Sequence, residues 1–131
     1  MSSVFSKIIR GEIPSFKIAE DEKYYAFLDI NPLAEGHTLV VPKKEIDYLF
    51  DLDDELLGDM MIFAKKIAKA IGVSVPCKRV GIAVLGLEVP HAHIHLIPIN
   101  RLDDINFSRQ KLKFSAEQFE KTAEKIISAL G

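Results

Sequence analysis

The chain has 131 residues, of which 48% are apolar and 27% charged, with a formal net charge of −2. That balance fits one globular domain, expected over residues 1–131, with a modest core. No long basic run offers a footprint for nucleic acid, and no apolar stretch approaches the ~20 residues that a bilayer-spanning helix needs. Cys77 is the single cysteine, so no internal disulfide can form. This fits a reducing compartment, and "MSSVFSKIIRGEIP" has no continuous apolar run of the secretory type. The expected location is cytoplasmic.

In chain order, "VFSKIIRGEIP" places Val4, Phe5, Ile8 and Ile9 at helical spacing before Gly11 and Pro14, and predicts a short helix. "FKIAEDEKYYAFLDI" reads as two strands around a charged turn at Glu20–Lys23. "NPLAEGH" is a loop, and "TLVVP" a short strand ended by Pro42. From Asp53 to Ile71 the period changes. Leu56, Met60, Phe63, Ile67 and Ile71 mark an amphipathic helix, opened by Asp51 or Asp53 and closed by Gly72. "RVGIAVL" and "HAHIHLIPI" read as strands, and 101–113 as a polar, irregular segment. Ser115 opens a Ser-x-x-Gln capping box for a last helix over 115–130. Strands are grouped rather than alternating with helices. That pattern predicts an α+β fold on a mainly antiparallel sheet.

The chemistry concentrates in "PHAHIHLIPIN", which holds three of the four histidines. In a strand, His91, His93 and His95 share one face while Ala92, Ile94 and Leu96 face the core. Three readings compete on pattern alone. The first is a half-polar strand that happens to carry histidine. The second is a metal site, since His-x-His presents two imidazoles to zinc and His37 could add another. The third is nucleophilic catalysis, because an unprotonated imidazole is available near neutral pH.

"HAHIHLI" has the form His-φ-His-φ-His-φ-φ, with φ apolar, and resembles the histidine triad (HIT) family of nucleotide hydrolases and transferases. "FSKIIRGEIPS" is similar to that family's N-terminal segment and "AFLDINPLAEGHTLVVPKK" to its central one, so the likeness covers most of residues 4 to 98. The resemblance implies a sheet of about five strands with a long helix and a short N-terminal helix, paired into a homodimer in which the helix Asp53–Ile71 is a plausible contact element. It implies a small-molecule nucleotide substrate, with a purine expected, and no partner nucleic acid or membrane. His93 would attack the α-phosphorus and carry a nucleotidyl-histidine intermediate. His95 would contact phosphate oxygens, while His91, with His37, would orient the nucleophile. Asp29 would accept from ribose hydroxyls, although alone it reads equally as a turn-forming Asp before Asn31-Pro32. Phe27, Ile30, Val4, Phe5 and Ile8 would line the base pocket, although taken alone Val4, Phe5 and Ile8 read as core. Lys43 and Lys44 match a family "PKK" but read as a solvated face.

Two departures stand out. Many bacterial relatives carry Cys-x-x-Cys and a later His at a zinc site; the matching positions here are Ser3, Ser6 and Glu45. Serine hydroxyls are poor zinc ligands, so neither a structural metal nor any other cofactor is expected. Before the triad the family often has an Asn, then Gly-Gln-[Ser/Thr]-Val. Here "GIAVLGLEVPHAH" keeps Gly86 but has Leu87 and Glu88 where a Gln and a hydroxyl are usual, and Ala83 or Val84 near the Asn position. Glu88 could face a cationic leaving group or donate a proton to it. The resulting expectation is a phosphohydrolase acting on a nucleoside phosphoramidate, dinucleoside polyphosphate or related conjugate. The alternatives are a nucleotide-binding sensor or scaffold with little turnover, or a nucleotidyl transferase.

Overall fold

A computed structural model describes residues 2–131. Three helices, α1 (Val4–Ile9), α2 (Asp54–Ser74) and α3 (Ala116–Ala129), accompany five strands: β1 (Lys17–Glu20), β2 (Tyr24–Leu28), β3 (Thr38–Pro42), β4 (Arg79–Ala83) and β5 (Ile94–Ile99). The strands form one sheet in the order β1-β2-β3-β5-β4, with every neighbouring pair antiparallel. This is the α+β architecture the grouping of strands predicts.

Both faces of the sheet are buried, and the period-two alternation sorts the side chains between them. Tyr24, Ala26, Leu28, Val40, Ile94 and Leu96 join the main core beneath α2 and α3. Tyr25, Phe27, Leu39 and Val41 point the other way and pack with Phe5 and Ile8 of α1. Phe27 stands opposite Leu39, and Leu39 opposite His95, so a row of residues crosses three strands on this second face. α3 covers the main core through Phe119, stacked on Phe16 at 4.9 Å between centroids. Its capping box forms as the sequence predicts, with Ser115 and Gln118 bonding each other's backbone N–H.

Two boundaries differ from the sequence reading. Asp53 caps α2 through Leu56 N, but Gly72 does not end the helix, which runs on to Ser74. The stop is Pro76, which forces Val75 into the extended region (φ −116°, ψ 126°). The strand at the triad also begins later, at Ile94, with His91 and His93 in the irregular approach to it. Opposite this approach β3 has reached Pro42, and the backbone turns elsewhere: Ala92 N donates to Ile46 O at 2.7 Å. The side chains nevertheless keep their alternation, since Ala92 belongs to the main core while His93 packs edge-on against Phe5 on the other face. "RVGIAVL" likewise pairs only through Ala83.

Candidate active site

Residues 29–37 fold around the ring of His37. Asp29 N donates to His37 O at 2.9 Å, and Leu33 N donates to His37 Nδ1 at 2.9 Å. Gly36, at φ +91°, makes the turn before His37; a Cβ there would lie 3.0 Å from Val75. Asp29 forms the turn and also borders the cavity. Its Oδ1 closes the turn by accepting from Asn31 N at 2.8 Å, and its Oδ2 lies 3.5 Å from His37 Nε2 beside the cavity.

The hydrogen bonds fix the proton on each buried ring. His37 Nδ1 accepts from an amide, so its proton sits on Nε2 and is donated to His95 Nδ1 at 2.9 Å. His95 therefore carries its own proton on Nε2. His93 Nδ1 lies 2.7 Å from the backbone carbonyl of His91, which can only accept. His93 thus has Nδ1–H and a free lone pair on Nε2. His91 Nε2 faces another carbonyl, that of Pro42, at 2.7 Å, so it is the donor there. Burial favours the neutral form of His37, His93 and His95. It lowers His37 to about 3, helped by the neighbouring His95 and Lys111, and His95 to about 4, helped by His93. His93 is lowered too, chiefly by burial. With His37 neutral, its approach to Asp29 is not an ion pair. Burial raises Asp29 itself to about 6, against the opposing Asn31 amide and Lys111 charge.

These groups open into a cavity of about 490 Å³, within the range of small-molecule sites. Val4, Phe5, Ile8 and Phe27 make an apolar wall, and Asp29, Ile30, His37, His93 and His95 lie along it. Ile30 is 63% exposed and forms the outer lip. Gly86, Leu87 and Glu88 line the far rim; Gly86 has φ +73°, and Leu87 is 87% exposed, so it presents an apolar side chain to solvent. A further wall comes from the segment after β5, whose sequence reads only as a polar connection. Phe107 packs edge-on against His95 at 4.8 Å and His37 at 6.2 Å. Lys111 Nζ donates to Phe107 O at 2.6 Å and Arg109 O at 3.2 Å, and it is the sole basic side chain among the described lining residues. The available signal was one aromatic within the polar run "RLDDINFSRQKLK".

Metal ligation fits this arrangement poorly. Asp29, His37 and His95 each bring a ligand atom within 4.8 Å of the others. Both nitrogens of His37 are engaged, however, and a cation on its Nε2 would require an imidazolate or the loss of the Leu33 bond. His91, His93 and His95 direct their Nδ1 atoms to three different partners, Ser3, His91 O and His37, rather than to one point.

The family profile of the HIT domain matches residues 10–102. The chain belongs to the HIT family. An uncharacterised HIT-like protein of Borreliella burgdorferi is 36% identical over 94% of this chain and 94% of its own length. The adenosine 5′-monophosphoramidase HNT1 of Saccharomyces cerevisiae is 47% identical over 72% of this chain; the match spans 61% of HNT1. Among solved structures, a zinc-bound histidine triad family protein of Mycobacterium smegmatis superposes with a TM-score of 0.83 at 31% identity, covering 99% of this chain and 94% of that one. In the present HIT protein, the positions where zinc ligands are expected by resemblance do converge. Ser3 Oγ lies 2.7 Å from His91 Nδ1, and Ser6 Oγ donates to Glu45 Oε1 at 2.6 Å. Two of the three matching positions, Ser3 and Ser6, carry hydroxyls already committed to hydrogen bonds, which does not fit a structural zinc.

Proposed function

We propose that this HIT protein is a nucleotide phosphohydrolase whose substrate is a nucleoside phosphoramidate or a related conjugate with a leaving group on the α-phosphate. The observation that carries the reading is the locked His93 ring, with Nδ1–H held by the His91 carbonyl and Nε2 left as a lone pair on a ring that lines the cavity. The name of the yeast relative, an adenosine 5′-monophosphoramidase, supports the same class of bond and an adenine base.

In this reading His93 Nε2 attacks the α-phosphorus, and the bond from phosphorus to the leaving amine breaks as the amine takes up a proton from solvent at the cavity mouth, a proton that the attacking water of the second step gives back. Water then attacks the nucleotidyl-histidine, releasing the nucleoside monophosphate and returning the lone pair to Nε2. Two easier displacements replace one. His95 donates its Nε2–H to a phosphoryl oxygen, and the His37–His95 bond keeps that proton pointing outward. Asp29 accepts from ribose hydroxyls through the oxygen its turn leaves free. The apolar wall of Phe5, Ile8 and Phe27, with Ile30 at the lip, takes the base. Lys111 supplies positive charge for the phosphate in a cavity that otherwise carries Asp29 and Glu88. Glu88 at the rim faces the leaving group and favours a cationic amine over an anionic one.

The test is turnover of an adenosine phosphoramidate by wild type and His93→Ala. Loss of at least ~10³-fold is expected for removal of a nucleophile. Tight nucleotide binding without His93-dependent turnover would instead favour the sensor or scaffold, a reading supported by the exposed Leu87 where a polar group would hold the leaving group. A single domain that pairs as a homodimer also belongs to this proposal. Met61 and Ile62 of α2, with Ile82 of edge strand β4 and Val84 and Leu85 after it, are exposed apolar side chains suited to a second copy. Sedimentation of Ile62→Glu, expected as a monomer, tests it.

A further inference from the structure

The cluster of Ser3, Ser6, Glu45 and His91 lies outside the cavity, yet its bonds run without a break to the nucleophile. Glu45 Oε1 accepts from Ser3 N at 2.7 Å and from Ser6 Oγ at 2.6 Å. Ser3 Oγ accepts from Ser6 N at 3.0 Å and lies 2.7 Å from His91 Nδ1. Because His91 Nε2 donates to Pro42 O, a neutral His91 must accept at Nδ1, and the Ser3 hydroxyl is the donor. The longer contacts, Ser3 Oγ to Ser6 Oγ and Ser6 Oγ to His91 Nδ1, are both 3.4 Å, so the short bonds define one direction of donation. His91 is fully buried and the serines are nearly so, while the carboxylate of Glu45 reaches solvent. The two donors of α1 hold that carboxyl well below the usual carboxylate range, the Ser6 hydroxyl contributing most. The last link is the His91 carbonyl, which accepts from His93 Nδ1. Ser3 is also the N-cap of α1, and Phe5, two residues on, packs edge-on at 5.0 Å from His93.

We infer that Ser3, Ser6 and Glu45 form a metal-free clasp that holds His91 in its Nε2–H form and its carbonyl against His93, and so act as positioning residues for the nucleophile. The clasp joins three segments far apart in sequence at the point where a relative could use a metal ion. It differs from a metal cross-link in one respect that matters chemically. Its hydroxyl donor tells the two nitrogens of His91 apart and fixes the tautomer as well as the position of the ring. The inference rests on His93 being the nucleophile, and its test therefore includes a readout independent of turnover.

That test compares Ser3→Thr with Ser3→Asp in the full chain. Both residues cap helices well. Threonine keeps a hydroxyl donor, whereas aspartate can only accept and draws a proton onto His91 Nδ1. The imidazole ¹⁵N shifts distinguish a protonated nitrogen from a lone pair. The clasp predicts wild-type shifts and turnover in Ser3→Thr. In Ser3→Asp it predicts a protonated His91 Nδ1 and kcat lowered by roughly tenfold, the equivalent of one ordinary hydrogen bond, with KM within about twofold. A role limited to capping predicts that both variants behave like wild type, and that result would overturn the clasp. Glu45→Ala gives a second route that leaves the cap intact: unchanged ¹⁵N shifts at His91 and His93 would also overturn it. If His93→Ala retained full turnover, the nucleophile reading would fail on its own, while the ring shifts would still report on the clasp.

Discussion

Asp29 gives the sharpest prediction, because its ionisation separates ribose binding from the chemistry at phosphorus. Burial brings its carboxyl to about 6 in the free protein. Only the carboxylate can accept from two ribose hydroxyls, so the binding-competent fraction falls about tenfold for each pH unit below that midpoint, or ~1.4 kcal/mol of apparent affinity. His37 and His95, at about 3 and about 4, lie too low to produce this limb. The adenosine affinity separates Asp29 from His93, whose ring acts at phosphorus rather than at the ribose. The assay is kcat/KM for an adenosine phosphoramidate between about pH 5 and 8, alongside the affinity for adenosine, which has no phosphate to titrate. Asp29→Asn should weaken adenosine at pH 7 by roughly 1.5–3 kcal/mol, the range for a hydrogen bond to a charged group, and should flatten the acid limb. The same shift acts on stability in the opposite sense. Between the ordinary 3.8 and about 6 the folded state holds a proton that the unfolded chain gives up. Stability therefore falls as pH rises through that window, by a total of roughly 3 kcal/mol for a side chain only 18% exposed. Asp29→Asn should then melt higher at pH 7 while binding worse. An acid limb with the same midpoint in Asp29→Asn would refute the assignment.

The other predictions concern the walls and the loop. Lys111→Met should weaken AMP by about tenfold, as for one charge-assisted contact, and leave adenosine unchanged; Lys111→Arg should restore binding, as titration calorimetry would show. Glu88→Ser should narrow the preference for an amine leaving group over an anionic one by a few-fold, measured as a ratio of kcat/KM values at low and high salt. Gly36→Ala should cost about 1–3 kcal/mol in urea denaturation, because it strains a φ of +91° and brings a Cβ to 3.0 Å from Val75.

Much of this protein was legible as local pattern. The alternation in "HAHIHLI" and "YYAFL" states which side chains share a face, and that held even where the ladder stopped short of His91. Asp53 and Ser115 announced helix starts because a cap acts on the next three residues. Boundaries set by neighbours were less legible. The α2 helix ran past Gly72 because Pro76, rather than the glycine, limits it. Lys111 and Phe107 are not legible as site residues, since a lone aromatic in the polar run around "NFSRQK" does not say that the segment folds back over His95.

The sequence by itself determined the inventory: four histidines, an acid before a turn, two serines and a glutamate where metal ligands are expected, and the period that aims them. Tertiary structure alone decided which nitrogen of each ring carries the proton. That choice belongs to partners distant along the chain. Ser3 meets His91 across 88 positions and His37 meets His95 across 58, and an imidazole has no tautomer preference strong enough to resist a well-placed donor or acceptor.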